Sequence, residues 1–235
     1  MDAKRIIPVL QVAGGLVPMP GSAPGHPADW ACRLALEGAD GIVFREVPGG
    51  GRPGRELRTE WLREVAGSLF IPIALEAPCT CLAELEEALE AGADKVILDA
   101  ALAATPTLAA AVQRFGRCHV SVAVDAVAEA APDGSGSRWA VAGRPGAEAL
   151  AWMAELEQLG AGEILLRVAP EAPAGALFQK AARLALSVVF RCDGDPAPAA
   201  EALLHGADGL AFPAMGRTSA DWKSLLSPQG LALRQ

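Results

Sequence analysis

Several things are scarce in this chain of 235 residues. It has three histidines, five cysteines and no tyrosine, and aromatic residues make up 5% of it. No apolar run approaches the ~20 residues needed to cross a bilayer. The opening MDAKRIIPVL carries charge and then only a short apolar run, too short for a secretory signal core, so a cytoplasmic location is expected. The cysteines (Cys32, Cys79, Cys81, Cys118 and Cys192) are odd in number and scattered, which favours reduced thiols over a disulfide framework. Only Cys79-Thr80-Cys81 is closely spaced, and it has no histidine beside it in sequence, so no metal site is expected. His26 lies in a PGHP loop, His119 opens a strand and His205 closes a helix, so none is placed as a catalyst. A net charge of −8 and a pI near 5 argue against nucleic acid as a main partner. The missing tyrosine accompanies an abundance of Ala, Gly and Pro, and reflects composition rather than function. Trp30, Trp61, Trp139, Trp152 and Trp222 fall mostly on helix faces and read as packing residues.

What is present is a repeat. LEGADGIVF from Leu36, LEAGADKVIL from Leu89, LGAGEILL from Leu159 and LLHGADGLAF from Leu203 share one plan: helix end, glycine, short connection, buried strand. Gly38, Gly92, Gly160 and Gly206 stand where a helix stop in left-handed conformation is wanted. The strands that follow are apolar on both faces, as in a parallel sheet covered by helices. Strand candidates without the glycine alternate with them: Ile6–Leu10, Ile71–Leu75, Val120–Val124 and Ser187–Phe190. Helical patterns fill the gaps, among them Thr59–Ala66, Leu82–Ala91, Thr105–Phe115, Ala147–Gln158 and Ala197–Leu204. Eight strand–helix units in this length predict an α/β fold, a (β/α)₈ TIM barrel made by repetition of a βαβα quarter, as one domain over residues 1–235. An open doubly wound sheet is the weaker alternative.

Two insertions interrupt the regularity. REVPGGGRPGRELR (45–58) follows the second strand and offers Arg52 and Arg55 in a glycine-rich loop, read as a solvated loop before an anion contact. AVAEAAPDGSGSRWAVAGRPG (126–146) follows the fifth and alternates around a DGSGS turn, which predicts a small hairpin. Barrels place their chemistry at the carboxyl ends of the strands. The residues there are Gln11, Arg45-Glu46, Glu76, Asp99, Asp125, Arg167, Arg191 with Cys192-Asp193, and Phe212-Pro213. Strands one and five are opposed, but a glutamine amide does not titrate near neutral pH, so Gln11 and Asp125 hold one titratable group between them. Asp125 reads equally as a hydrogen-bonded strand-end carboxylate. A phosphate cradle wants free glycine N–H groups. LEAPCTC and FRCDGDP offer instead Pro78 and the anions Glu76, Asp193 and Asp195.

AKRIIPVLQV, GADKVIL, VSVAVDA and GAGEILL resemble segments of the cyclase subunit of imidazole glycerol phosphate synthase, a histidine-biosynthesis (β/α)₈ enzyme, in order along nearly the whole chain. The resemblance implies two opposed aspartates at the ends of strands one and five as an acid–base pair. Asp125 matches the second, and Gln11 stands in place of the first. Glu76-Ala77-Pro78 replaces a glycine triplet, Arg191-Cys192-Asp193 a serine–glycine–glycine, Asp99 an asparagine, and VAPEAPAG (168–175) a phosphate-holding loop. At the amino-terminal mouth the family carries a charged gate toward a docked glutaminase subunit that supplies ammonia. Arg5, Lys95 and Glu163 match three gate residues, Asp94 matches a docking residue, and Gly41 replaces the fourth, an acid. Ion pairs there can equally serve stability alone.

Three functions are therefore in play. The first is a pseudoenzyme that binds or scaffolds, through a glutaminase-type or paralogous barrel subunit below or a small molecule above. The second is an enzyme of altered chemistry using Asp125 with Glu76, Asp99 or Glu46 and arginines such as Arg45, Arg167 and Arg191. The third is the parent ammonia-dependent cyclase/lyase reaction. No cofactor is called for in any of them.

Overall fold

The computed structural model describes residues 3–19, 21, 23–47, 59–79, 81–103, 106–130, 137–144, 146–169 and 174–234. Strands and helices alternate: β1 (Arg5–Val12), α1 (Pro27–Leu36), β2 (Ile42–Glu46), α2 (Glu60–Ser68), β3 (Ile73–Glu76), α3 (Leu82–Glu90) and β4 (Lys95–Leu98). After α4 (Ala100–Ala103) and α5 (Pro106–Phe115) come β5 (Val120–Ala130), β6 (Ser137–Val141), α6 (Ala149–Gln158) and β7 (Glu163–Val168). The chain then runs through α7 (Gly175–Ala181), β8 (Ser187–Arg191), α8 (Pro196–Leu204), β9 (Gly209–Pro213) and α9 (Ser219–Leu226).

Neighbouring strands pair in parallel in the order β4-β3-β2-β1-β9-β8-β7-β5, and β4 pairs with β5 to close the ring. The result is an eight-stranded (β/α)₈ barrel. Strand β6 lies outside the ring, paired antiparallel with the far half of β5. That half is the predicted hairpin, so β5 runs on to Ala130 instead of stopping at Val124. Its turn, the 48–58 loop with Arg52 and Arg55, and residues 170–173 of VAPEAPAG lie outside the described residues.

Side chains alternate across each strand. One set packs outward under the helices: Ile6, Leu10, Phe44, Leu75, Leu98, Leu166, Phe190 and Phe212 are all buried. Burying one such side chain contributes roughly 1.5–3 kcal/mol. Trp61 meets Phe44 at 5.2 Å between ring centres and Trp222 meets Phe212 at 5.5 Å, which settles those tryptophans as packing residues. The other set fills the lumen. Ile7, Val9, Val43, Ala74, Ile97, Ala123, Leu165, Val189 and Ala211 form a plug to which every barrel strand contributes. Two residues further along each strand lies an upper ring, and two residues back a lower one.

The glycine repeat has a second half that sequence reading left unexplained. Gly38, Gly92, Gly160 and Gly206 all have positive φ, as expected of helix stops. The aspartate two residues later clamps the strand before it. Asp40 Oδ2 accepts from Ile6 N at 2.8 Å, Asp94 Oδ2 from Ile73 N at 2.8 Å and Asp208 Oδ2 from Val188 N at 2.9 Å. Each aspartate's own N–H donates to the carbonyl of the same residue. The third quarter carries Gly162 instead, since a Cβ there would fall 2.1 Å from the carbonyl oxygen of Arg117 in the short turn Arg117–His119.

Candidate functional site

By pleat alternation the upper ring is Gln11, Arg45, Glu76, Asp99, Asp125, Arg167, Arg191 and Pro213, so all the strand-end candidates except Glu46, Cys192, Asp193 and Phe212 come together. Glu46 follows Arg45 on the opposite pleat, and Asp193 lies beyond the end of β8. The ring holds three arginines and three carboxylates.

Two pairings organise it. Arg191 Nη1 donates to Glu76 Oε1 at 3.1 Å and Oε2 at 3.0 Å. Strands β8 and β3 face each other across the ring, so this bond spans the mouth. Arg45 Nε approaches the same carboxylate at 3.4 Å. Glu76 and Arg191 are 16% and 14% exposed, deep enough to be the floor of the opening. The second pair sits on the rim: Arg167 Nε and Nη2 donate to Asp125 Oδ1 and Oδ2 at 3.0 and 2.7 Å, a two-pronged contact between neighbouring strands. These hydrogen bonds push Arg167 above its ordinary pKa, against some desolvation. Gln11, beside Arg45 in the sheet, is exposed.

Two backbone donors at the strand ends are already used, and a third is lacking. Cys79 N donates to the Ala77 carbonyl at 2.8 Å, Cys192 N donates to that of Ala211 at 2.9 Å, and Pro78 has no N–H. Asp195 caps the N-terminus of α8 by accepting from Ala197 N at 3.0 Å, and Thr218 with Asp221 forms a capping box on α9. Burial pushes the Cys79 thiol up to about 12 and the Cys192 thiol up to about 11, so neither is a thiolate at neutral pH.

The lower ring holds the other predicted cluster. Glu163 accepts from Arg5 Nη2 at 2.6 Å and from Lys95 Nζ at 2.7 Å, and Arg5 also donates to Ser187 Oγ at 2.9 Å. Two cations converge on one buried carboxylate. Burial alone would raise the pKa of Glu163, but Arg5 and Lys95 override it and hold the carboxyl below its ordinary range. Asp94 is separate from this cluster, being the clamp on Ile73. A Cβ at Gly41 would lie 3.1 Å from the Pro72 carbonyl oxygen, so that position admits no larger side chain without a shift.

Comparison with known proteins decides the family. The histidine biosynthesis protein model matches residues 5–170. The chain belongs to that family. It is 35% identical over 175 residues to "Imidazole glycerol phosphate synthase subunit HisF" of Dehalococcoides mccartyi strain 195, and equally so to the subunits of that name in strains BAV1 and CBDB1. Each match takes in 69% of this chain and 66% of the relative, so the chain spans about two-thirds of the relatives' length. This HisF-like barrel thus agrees with its expected kinship. Sequence reading missed the bond between Glu76 and Arg191, because its partners lie 115 residues apart and only ring closure brings them together. It also missed Ser187 in the lower cluster, an unremarkable residue whose only signal was the strand parity it shares with Glu163.

Proposed function

We propose that this HisF-like barrel no longer carries out the ammonia-dependent cyclase/lyase reaction and works as a binding or scaffold protein. The observation that carries the reading is the state of the upper ring. Acid–base chemistry across the mouth needs two titratable groups, and Gln11 offers none. Both oxygens of Asp125 are held by Arg167. A bis-phosphorylated substrate needs donors at two ends of the mouth. The nearby N–H groups of Cys79 and Cys192 are bonded internally, and the α8 and α9 termini carry carboxylates of their own.

The lower face supports a protein partner of the glutaminase or paralogous-barrel kind, in keeping with relatives that are named as a subunit. Leu36, Phe70, Leu204 and Leu225 are exposed at or just past the C-terminal ends of α1, α2, α8 and α9, four consecutive helices around the ring. All four ends open on the face that holds Arg5, Lys95 and Glu163. An apolar arc beside a charged mouth is the composition of a docking surface.

The test is an assay of ammonia-dependent turnover of the family's bis-phosphorylated ribonucleotide with purified protein. Activity at background level is expected. Turnover that Asp125→Asn abolishes would overturn the reading.

A further inference from the structure

We propose that the upper mouth is a binding site for a small carboxylate anion, received on the unused edges of Arg191 and Arg45. This rests on the reading of the barrel as a binding protein.

The geometry of the two upper pairs differs in a way that matters. Arg167 meets Asp125 with two nitrogens against two oxygens, so its fork is filled. Arg191 meets Glu76 with one nitrogen only, Nη1, split between both oxygens. A guanidinium has five N–H donors in a rigid plane. Among the described residues Glu76 is the only hydrogen-bond partner of Arg191, and the remaining Arg191 nitrogens are not sealed from solvent. Arg45 approaches Glu76 with Nε at 3.4 Å, and its side chain is 37% exposed. Two guanidiniums therefore converge on the floor of the mouth around one carboxylate, with most of their donors unspent among the described residues. Glu76 shows what kind of group they hold: a planar anion with two oxygens.

The surroundings set the charge of the ligand. Glu76, Asp99 and Asp125 occupy consecutive strands of the ring, so a phosphate dianion would meet three carboxylates, and the N-termini of α8 and α9 already carry the carboxylates of Asp195 and Asp221. A monoanion shared by two arginines meets far less repulsion. The neutral amide of Gln11, next to Arg45, adds a donor and an acceptor without charge.

Glu76 competes for the same donors from a short tether, where effective concentrations reach the millimolar range or above. Removing its charge therefore tightens binding. Acetate and propionate are titrated into protein carrying ¹⁵N-labelled arginine, following the side-chain Nε–H signals. Saturable shifts of the Arg45 and Arg191 signals are expected in the wild-type protein. Affinity should rise at least fivefold in Glu76→Gln and fall at least tenfold in Arg191→Lys, which keeps the charge but loses the fork. Absence of saturable shifts in both wild type and Glu76→Gln would overturn the proposal. So would unchanged binding in Arg191→Lys, or equal binding of chloride and phosphate. Should Arg191→Lys fail to fold, Arg45→Met on the Glu76→Gln background serves instead, and retained affinity there overturns the proposal equally. Turnover of the family substrate is a separate readout, so failure of the binding-protein reading would show without deciding the fate of the carboxylate site.

Discussion

The two ends of the lumen both pair cations with carboxylates and arrange them in opposite ways. Below, Arg5 and Lys95 both close on Glu163, a carboxylate 11% exposed, leaving two cations on one anion. Above, three arginines face three carboxylates, one pair stretched across the mouth and another set on the rim with both side chains more than 40% exposed. The lower end is a lock whose members depend on one residue. The upper end is a set of separate pairs, in which Arg191 spends one nitrogen on Glu76 and Arg167 two on Asp125. Between them lies the same apolar plug, so the difference comes from the rings themselves. Stability is concentrated at one end and adaptability at the other.

Substitutions can break that contrast, starting with the lock. Glu163→Gln would leave Arg5 and Lys95 facing each other with no anion between them, and a loss of about 3 kcal/mol is expected in urea denaturation. Because the folded-state pKa of Glu163 lies below the ordinary 4.5, its contribution is fully present above that value and is lost as pH falls through the depressed folded value. The wild type should therefore lose more stability on acidification than the variant does. Arg191→Met, which cuts the upper tie and leaves Glu76 with Arg45 alone, should cost about 2 kcal/mol by the same measurement. A loss equal to that of Glu163→Gln would erase the distinction between the ends.

Smaller effects sharpen it. Asp94→Ala removes one clamp on an odd strand and should cost about 1 kcal/mol, with faster amide exchange confined to β3. Asp125→Asn touches a pair that solvent screens on both sides, so no more than about 0.5 kcal/mol should be lost in thermal denaturation. Gln11→Asp is expected to give no turnover, since Asp125 on the opposite strand would still be held by Arg167 through both oxygens.

The fold was legible because the repeat is local. Gly38, Gly92, Gly160 and Gly206 each stop a helix by backbone conformation alone, and the apolar strand after each needs no distant partner to be recognised. The lower cluster was legible through the family resemblance, which places Arg5, Lys95 and Glu163 at one mouth of the barrel. Parity along the strands could sort Arg45, Glu76 and Arg191 into one ring. It could not say that Glu76 reaches across to Arg191 and that Asp125 turns sideways to Arg167. Those choices depend on side-chain length and ring diameter, which no single segment encodes. The clamp role of Asp40, Asp94 and Asp208 escaped because a glycine-alanine-aspartate run reads as a turn whether or not its carboxylate is used.

The bond from Arg191 to Glu76 has a meaning in time as well as in space. It joins the third and seventh strands of the ring, which lie opposite each other and 115 residues apart at the bonded side chains. A contact of this range is expected to form after the folding transition state. Arg191→Met should then leave the refolding rate almost unchanged and speed unfolding about 30-fold, the whole of its 2 kcal/mol appearing on one limb of the chevron. The tie would act as a brake on the barrel's opening, fitted after the barrel is built.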